Sequence, residues 1–163
     1  RVWGVEMYDV QKHFPETLKL LAGIDGVINI GFNLLEPQAV IKPHCGATNA
    51  IIRCHLGLVI PEENEKCAIK VNDNIMHWKQ GKVIGFTDAY NHEAWNKTDK
   101  RRIILLFDVL FSAILSVFLS GALLSRSSIK PRIASSVSLY PPSPKCTLRT
   151  LPLASIKYDA GQY

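Results

Sequence analysis

Residues 41–60 read Ile-Lys-Pro-His-Cys-Gly-Ala-Thr-Asn-Ala-Ile-Ile-Arg-Cys-His-Leu-Gly-Leu-Val-Ile, and the fold is decided by how this stretch is read. Lys42 to Asn49 gathers turn formers around a lone imidazole, His44. Ala50 to Ile60 then runs as a β-rich apolar segment with the composition of a strand. Arg53 and His55 sit two apart within it, so their side chains leave the same face. A cation and an imidazole on a face otherwise made of Ile and Leu are costly unless something anionic lies opposite. The stretch therefore predicts a pocket for a metal and a carboxylate, with His44 at its mouth.

Toward the N-terminus, Tyr8 to Ala22 is mixed, and Pro15 marks the start of a short helix because proline is tolerated in a first helical turn. Gly23 and Gly26 break it, Val27 to Leu35 reads as a strand containing Asn33, and Pro37 marks a turn. Toward the C-terminus, Pro61 to Lys66 is a solvated loop, Cys67 to Val71 alternates as a strand, and Asn72-Asp73-Asn74 is a turn. Trp78 to Lys82 is read as closing a hairpin before a strand from Val83 to Phe86. After Asn96 to Lys100, a polar turn, Arg102 to Val109 is a strongly apolar last strand. Short strands at even spacing behind one helix predict an all-β jelly roll or barrel.

The chain has 163 residues and a formal charge of +5. Residues 1–108 hold 13 Lys+Arg and 13 Asp+Glu, so the excess belongs to the tail. No basic patch with interleaved aromatics occurs in that neutral part, which argues against nucleic acid as a partner. Val109 to Leu124 is almost wholly apolar but short for a membrane span of about 20 residues. It is a candidate for membrane contact, and Ser125 to Tyr163, rich in Ser and Pro, is expected to be poorly ordered. Two parts follow: a domain over residues 1–109 and an atypical tail over 110–163. The chain starts at Arg1, which reads as a fragment or processed product, and Arg1 to Leu20 lacks the pattern of a secretory signal. Cys45, Cys54, Cys67 and Cys146 form no CxxC pair and read as free thiols of a reducing compartment. The expected location is cytoplasmic, or membrane-associated if the apolar run is an anchor.

The segments IKPHCGATNAIIRCHLGLVIP, WKQGKVIGFTDAYNHEAWN and RRIILLFDV resemble the core of the aspartyl/asparaginyl β-hydroxylase family. The resemblance covers about residues 14–109. It implies a double-stranded β-helix (a cupin-like jelly roll) and iron(II)- and 2-oxoglutarate-dependent oxygenase chemistry. By that resemblance His44 and His92 are the metal ligands, with Gly46 where most such enzymes carry an acid. Arg53 and His55 match the residues that hold the chelating end of the oxoglutarate, and Arg102 matches the arginine that grips its far carboxylate. Asn33 stands where many members have serine, and its amide can still donate a bond. Asp88, four before His92, is placed behind the metal site, acting through a metal-bound water. The residue types suit these roles: neutral imidazoles suit iron(II), and an arginine fork holds a carboxylate with two charge-assisted bonds.

Other candidates receive ordinary readings. His13 and His77 are taken as core or surface residues, Arg101 as solvated, and Trp78 and Trp95 as core. The implied activity is hydroxylation of Asp or Asn in a peptide or protein. The alternatives are a lipid or small-molecule hydroxylase, and a truncated inactive homologue whose apolar tail makes membrane or partner contacts.

Overall fold

A computed structural model describes residues 1–113. Helix α1 (Tyr8–Gln11) and helix α2 (Pro15–Leu21) precede eight strands. These are β1 (Val27–Leu35), β2 (Ala39–His44), β3 (Ile51–Val59), β4 (Cys67–Val71), β5 (Asn74–Met76), β6 (Val83–Thr87), β7 (His92–Asn96) and β8 (Arg102–Leu110). They form two four-stranded sheets in the orders β1-β8-β3-β6 and β2-β7-β4-β5, every pairing antiparallel. The result is a two-sheet sandwich of the double-stranded β-helix type, with short N-terminal helices. Among the described residues no helix is long and apolar enough to cross a membrane.

The two-residue period of the strands decides what each sheet contributes. On β8, Ile104 joins the core between the sheets, whereas Leu105, Phe107 and Val109 join a second cluster with Leu21 of α2. On β3, Arg53 and His55 face the interior, whereas Cys54, Leu56 and Leu58 pack in that second cluster. Helix α2 begins with Pro15, has Glu16 in its first turn and Lys19 in its last, and so agrees with its dipole. Its buried Leu21 covers the outer face of the first sheet.

Besides the additional helical turn α1, three features differ from the sequence reading. Lys42 to His44 belongs to β2 rather than to a turn, because β2 lies at a sheet edge, where Pro43 removes no interior ladder bond. The register slips between Ile41 and His44, which is where the proline stands. Trp78 to Lys82 closes no hairpin: β5 and β6 belong to opposite sheets, so this segment crosses between them. His92 to Asn96, not read as a strand, alternates buried and half-buried residues between β2 and β4.

The cysteines divide. Cys67, in the core between the sheets, and Cys54, under α2 on the outer face of the first sheet, carry free thiols, whereas Cys45, just past the exposed end of β2, is disulfide-bonded, contrary to the free-thiol expectation. Burial, aided by the charge of Asp108, pushes the Cys54 thiol up to about 12, so this cysteine packs rather than reacts. Strand β8 ends at Leu110, whose N–H donates to the Gly26 carbonyl, and Phe111 N–H donates to Ala50. The apolar run beyond residue 113 and the whole of the Ser/Pro-rich tail lie outside the described residues.

Candidate functional site

Asn33, His44, Arg53, His55, His92 and Arg102, which the sequence proposes from five separate strands, all line one cavity between the sheets. Ile41, Ile69, Trp78, Phe86, Ala94 and Leu106 complete its wall. The two sheets divide the polar groups. His44 and His92 come from β2 and β7, whereas Asn33, Arg53, His55 and Arg102 come from β1, β3 and β8.

His44 and His92 are register partners across β2 and β7, with ring centroids 4.1 Å apart. Each ring turns Nδ1 to a backbone carbonyl two residues back: His44 to Lys42 at 2.8 Å, and His92 to Tyr90 at 2.7 Å. A carbonyl only accepts, so both Nδ1 atoms carry the proton and both Nε2 lone pairs are left to bind a cation. Burial, with the nearby charges of His44 and Arg53, holds His92 down to about 4 against the raising effect of its bond to Tyr90. Two imidazoles that turn Nε2 away from their backbone bonds are a donor set that fits iron(II) and leaves positions open.

Position 46 cannot carry a third ligand. A Cβ there would lie 1.7 Å from Oδ2 of Asp88, and the Gly46 N–H donates to the Asp88 carbonyl at 2.8 Å. The Asp88 carboxylate fills the space a side chain would need, with Oδ1 at 3.7 Å from His92 Nε2. It is ion-paired with Arg53 NH1 at 2.5 Å. Burial raises its pKa, and the charge of Arg53 opposes that shift.

The opposite wall is cationic. Arg53 gives Nε and NH2 to the two oxygens of Asp108, at 2.9 and 3.0 Å, in a bidentate fork. Asp108 is fully buried and also accepts from Asn29 Nδ2 at 2.8 Å. Burial alone would lower the Arg53 pKa, but Asp108 and Asp88 outweigh it and the net shift is upward. Arg53 thus faces the cavity with two carboxylates already on its guanidinium. Arg102 is deeper than Arg53, at 1% exposure, and has no carboxylate partner among the described residues. Its NH2 donates to Asn33 Oδ1 at 2.6 Å, its guanidinium carbon lies 4.5 Å above the Trp78 ring, and its Nε is buried without a partner. Burial pulls Arg102 down to about 10, which leaves it cationic at neutral pH.

A match to the family model described as aspartyl/asparaginyl beta-hydroxylase runs over residues 1–111. The chain belongs to this family. One relative, an ornithine lipid ester-linked acyl 2-hydroxylase from Rhizobium tropici, is 42% identical over 106 residues, covering 65% of this chain and 38% of that protein. The human aspartyl/asparaginyl beta-hydroxylase is 38% identical over 96 residues, 59% of this chain and 12% of that protein. The chain therefore spans well under half the length of these curated relatives. Among solved structures, the cupin domain of Schizosaccharomyces pombe Cnp3 aligns with a TM-score of 0.42 at 13% identity, covering 56% of this chain and 61% of that one.

Within this family member, two site residues escaped the sequence reading. Asp108 was readable in principle: it lies on the same face of β8 as Arg102, at an even spacing, and an acid on an apolar strand needs a buried partner. Trp78 carried no such signal, because a tryptophan after a short strand reads as core and only the crossover puts it on the cavity. It belongs to the core cluster as expected and lines the cavity as well.

Proposed function

We propose that this chain is an iron(II)- and 2-oxoglutarate-dependent hydroxylase. The observation that carries the reading is the division of one cavity into a wall with two free imidazole Nε2 atoms and a wall with buried, partly unsatisfied donors. His44 and His92 would hold the metal. Arg102, with Asn33, would take the far carboxylate of the keto acid, and His55 would donate Nε2–H to its chelating end. Arg53 is read as a residue that holds Asp88 behind the metal and sets the positive potential of the wall. When bound, the iron with oxoglutarate and dioxygen supplies hydroxylation of an unactivated C–H bond, the second oxygen atom oxidising the keto acid to succinate and carbon dioxide. The apolar lining from Ile41, Ile69, Phe86 and Leu106 keeps water from the reacting groups.

For the substrate, the lipid or small-molecule reading is better supported than the peptide reading. The relative named for a lipid acyl group matches with higher identity and over more of both chains than the one named for aspartyl/asparaginyl residues. The test is succinate production with iron and oxoglutarate, comparing an ester-linked acyl lipid with an Asp-containing peptide. The expected result is turnover on the lipid, abolished by His44→Ala and by His92→Ala. Oxoglutarate decarboxylation persisting in either variant would sink the assignment, and turnover on the peptide alone would restore the other substrate.

A further inference from the structure

We propose that Trp78 is a positioning residue for the co-substrate, acting on His55 and Arg102 at once. The proposal rests on the oxoglutarate reading of the cavity given above. Trp78 lies on the crossover from β5 to β6, which is strapped to β3: the Gly57 N–H donates to Lys82 at 3.0 Å, and the Gly81 N–H donates back to Gly57 at 2.9 Å. A Cβ on Gly57 would stand 2.4 Å from the Lys79 carbonyl oxygen, so only glycine lets the crossover come this close. Gly81 turns the chain there with φ +70°. The strap leaves Trp78 between the sheets at 1% exposure.

From there the indole reaches both anion-facing residues. Its Nε1–H donates to His55 Nδ1 at 3.3 Å, with the rings 25° from parallel. An indole nitrogen can only donate, so Nδ1 of His55 must present its lone pair and the proton must sit on Nε2. That Nε2 is buried and has no partner among the described residues. A buried donor without a partner is costly, and an incoming carboxylate oxygen removes that cost. The other tautomer would bring two N–H groups together at Nδ1 and turn a lone pair toward the anion. The indole N–H therefore decides whether His55 attracts a carboxylate or repels it. The ring face meanwhile carries the Arg102 guanidinium at 4.5 Å, a cation–π contact that fixes the plane of the fork. Under the oxoglutarate reading, one side chain thus orients donors for both carboxylates.

The experiment separates this role from plain core packing. In wild-type protein without metal, long-range ¹⁵N spectra are expected to show His55 as the Nε2–H tautomer. Trp78→Phe keeps a ring face under Arg102 and removes the N–H. It should give a mixture of tautomers and weaken oxoglutarate about tenfold, the size of one hydrogen bond. Trp78→Leu removes the face as well and should weaken oxoglutarate by about another tenfold. Oxoglutarate is titrated into Mn(II)-loaded protein without oxygen, and Mn(II) affinity, set by His44 and His92 on the other sheet, should not move. An Nδ1–H tautomer in the wild type overturns the proposal, and this holds even if both variants fail to fold. Wild-type tautomer and affinity persisting in Trp78→Phe overturns it too, as does equal weakening of Mn(II) and oxoglutarate. Wild-type protein that binds no oxoglutarate removes the reading of the cavity and this proposal together, whereas an unchanged Trp78→Phe removes the proposal alone.

Discussion

Arg53 on β3 and Arg102 on β8 reach one cavity from adjacent strands of one sheet, yet they are held in opposite ways. Arg53 has a bidentate fork on Asp108 and an ion pair with Asp88, and its pKa rises. Arg102 has an amide oxygen, an indole face and an orphan Nε, and burial lowers it to about 10. A buried cation without a counter-charge is costly, and folds tolerate one where a ligand supplies the missing charge. The difference teaches which arginine is neutralised by the frame and which is buried without a counter-charge among the described residues. It also separates stability from binding on a single sheet.

The largest effect expected on stability is from Arg53→Met, which strands Asp108 and Asp88 in the interior. It should cost about 3–5 kcal/mol by urea unfolding. Arg102→Met removes an unpaired charge and should leave stability within about 1 kcal/mol of wild type, or raise it. If the two variants are equally destabilised, the contrast fails.

Binding should show the reverse order. Arg102→Ala is expected to weaken oxoglutarate by about a hundredfold, and Arg102→Lys by about tenfold, since lysine keeps the charge but loses the planar fork. Equal and small effects, measured by titration of the Mn(II)-loaded protein, would show that Arg102 is not the carboxylate clamp.

A smaller effect comes from His55, held neutral by burial and by the charges of Arg102 and Arg53, with its pKa well below 6.5. The unfolded chain takes up the proton first, so stability is complete above the unfolded value and is lost as pH falls below it. The loss is up to about 1.4 kcal/mol per pH unit for this one group. Urea unfolding on either side of pH 6.5 checks it, and His55→Gln should reduce the slope. An unchanged slope would show that His55 is not the group responsible.

Smallest is Arg101→Ala, one residue before the clamp. Arg101 is exposed and paired with Glu36 at 2.9 Å, so removing it should change stability by about 0.5 kcal/mol or less and leave oxoglutarate affinity alone. A large loss of affinity there would exchange the roles of the two neighbours.

Strand existence was legible wherever alternation was strong. Val27–Leu35 and Cys67–Val71 have the bounds read from the sequence, and β3 and β8 differ by a residue or so at their ends. The weak points were β2, masked by Pro43, and the link from β5 to β6. Turn chemistry says that a chain reverses there, and says nothing about which sheet the next strand joins. The site followed the same rule. Arg53 and His55 were readable as a same-face pair, and Gly46 as a position without an acid. The clash that requires glycine at 46 belongs to Asp88, 42 positions away in the chain.

The sequence alone therefore determined five of the eight strands, the charge-neutral region that carries the candidate site, and the residue types gathered there. Local composition suffices for these, because periodicity and side-chain chemistry are properties of short segments. Only the tertiary structure decided that Arg53 is neutralised by Asp108 and Asp88, that Arg102 is left without a carboxylate partner among the described residues, and that Trp78 lies against His55. Those facts depend on antiparallel register and on a crossover between sheets, which bring together groups 55 positions apart for Arg53 and Asp108 and 23 apart for Trp78 and His55. Energies between such pairs exist only once the sheets have closed on each other, and no short stretch of the chain contains them.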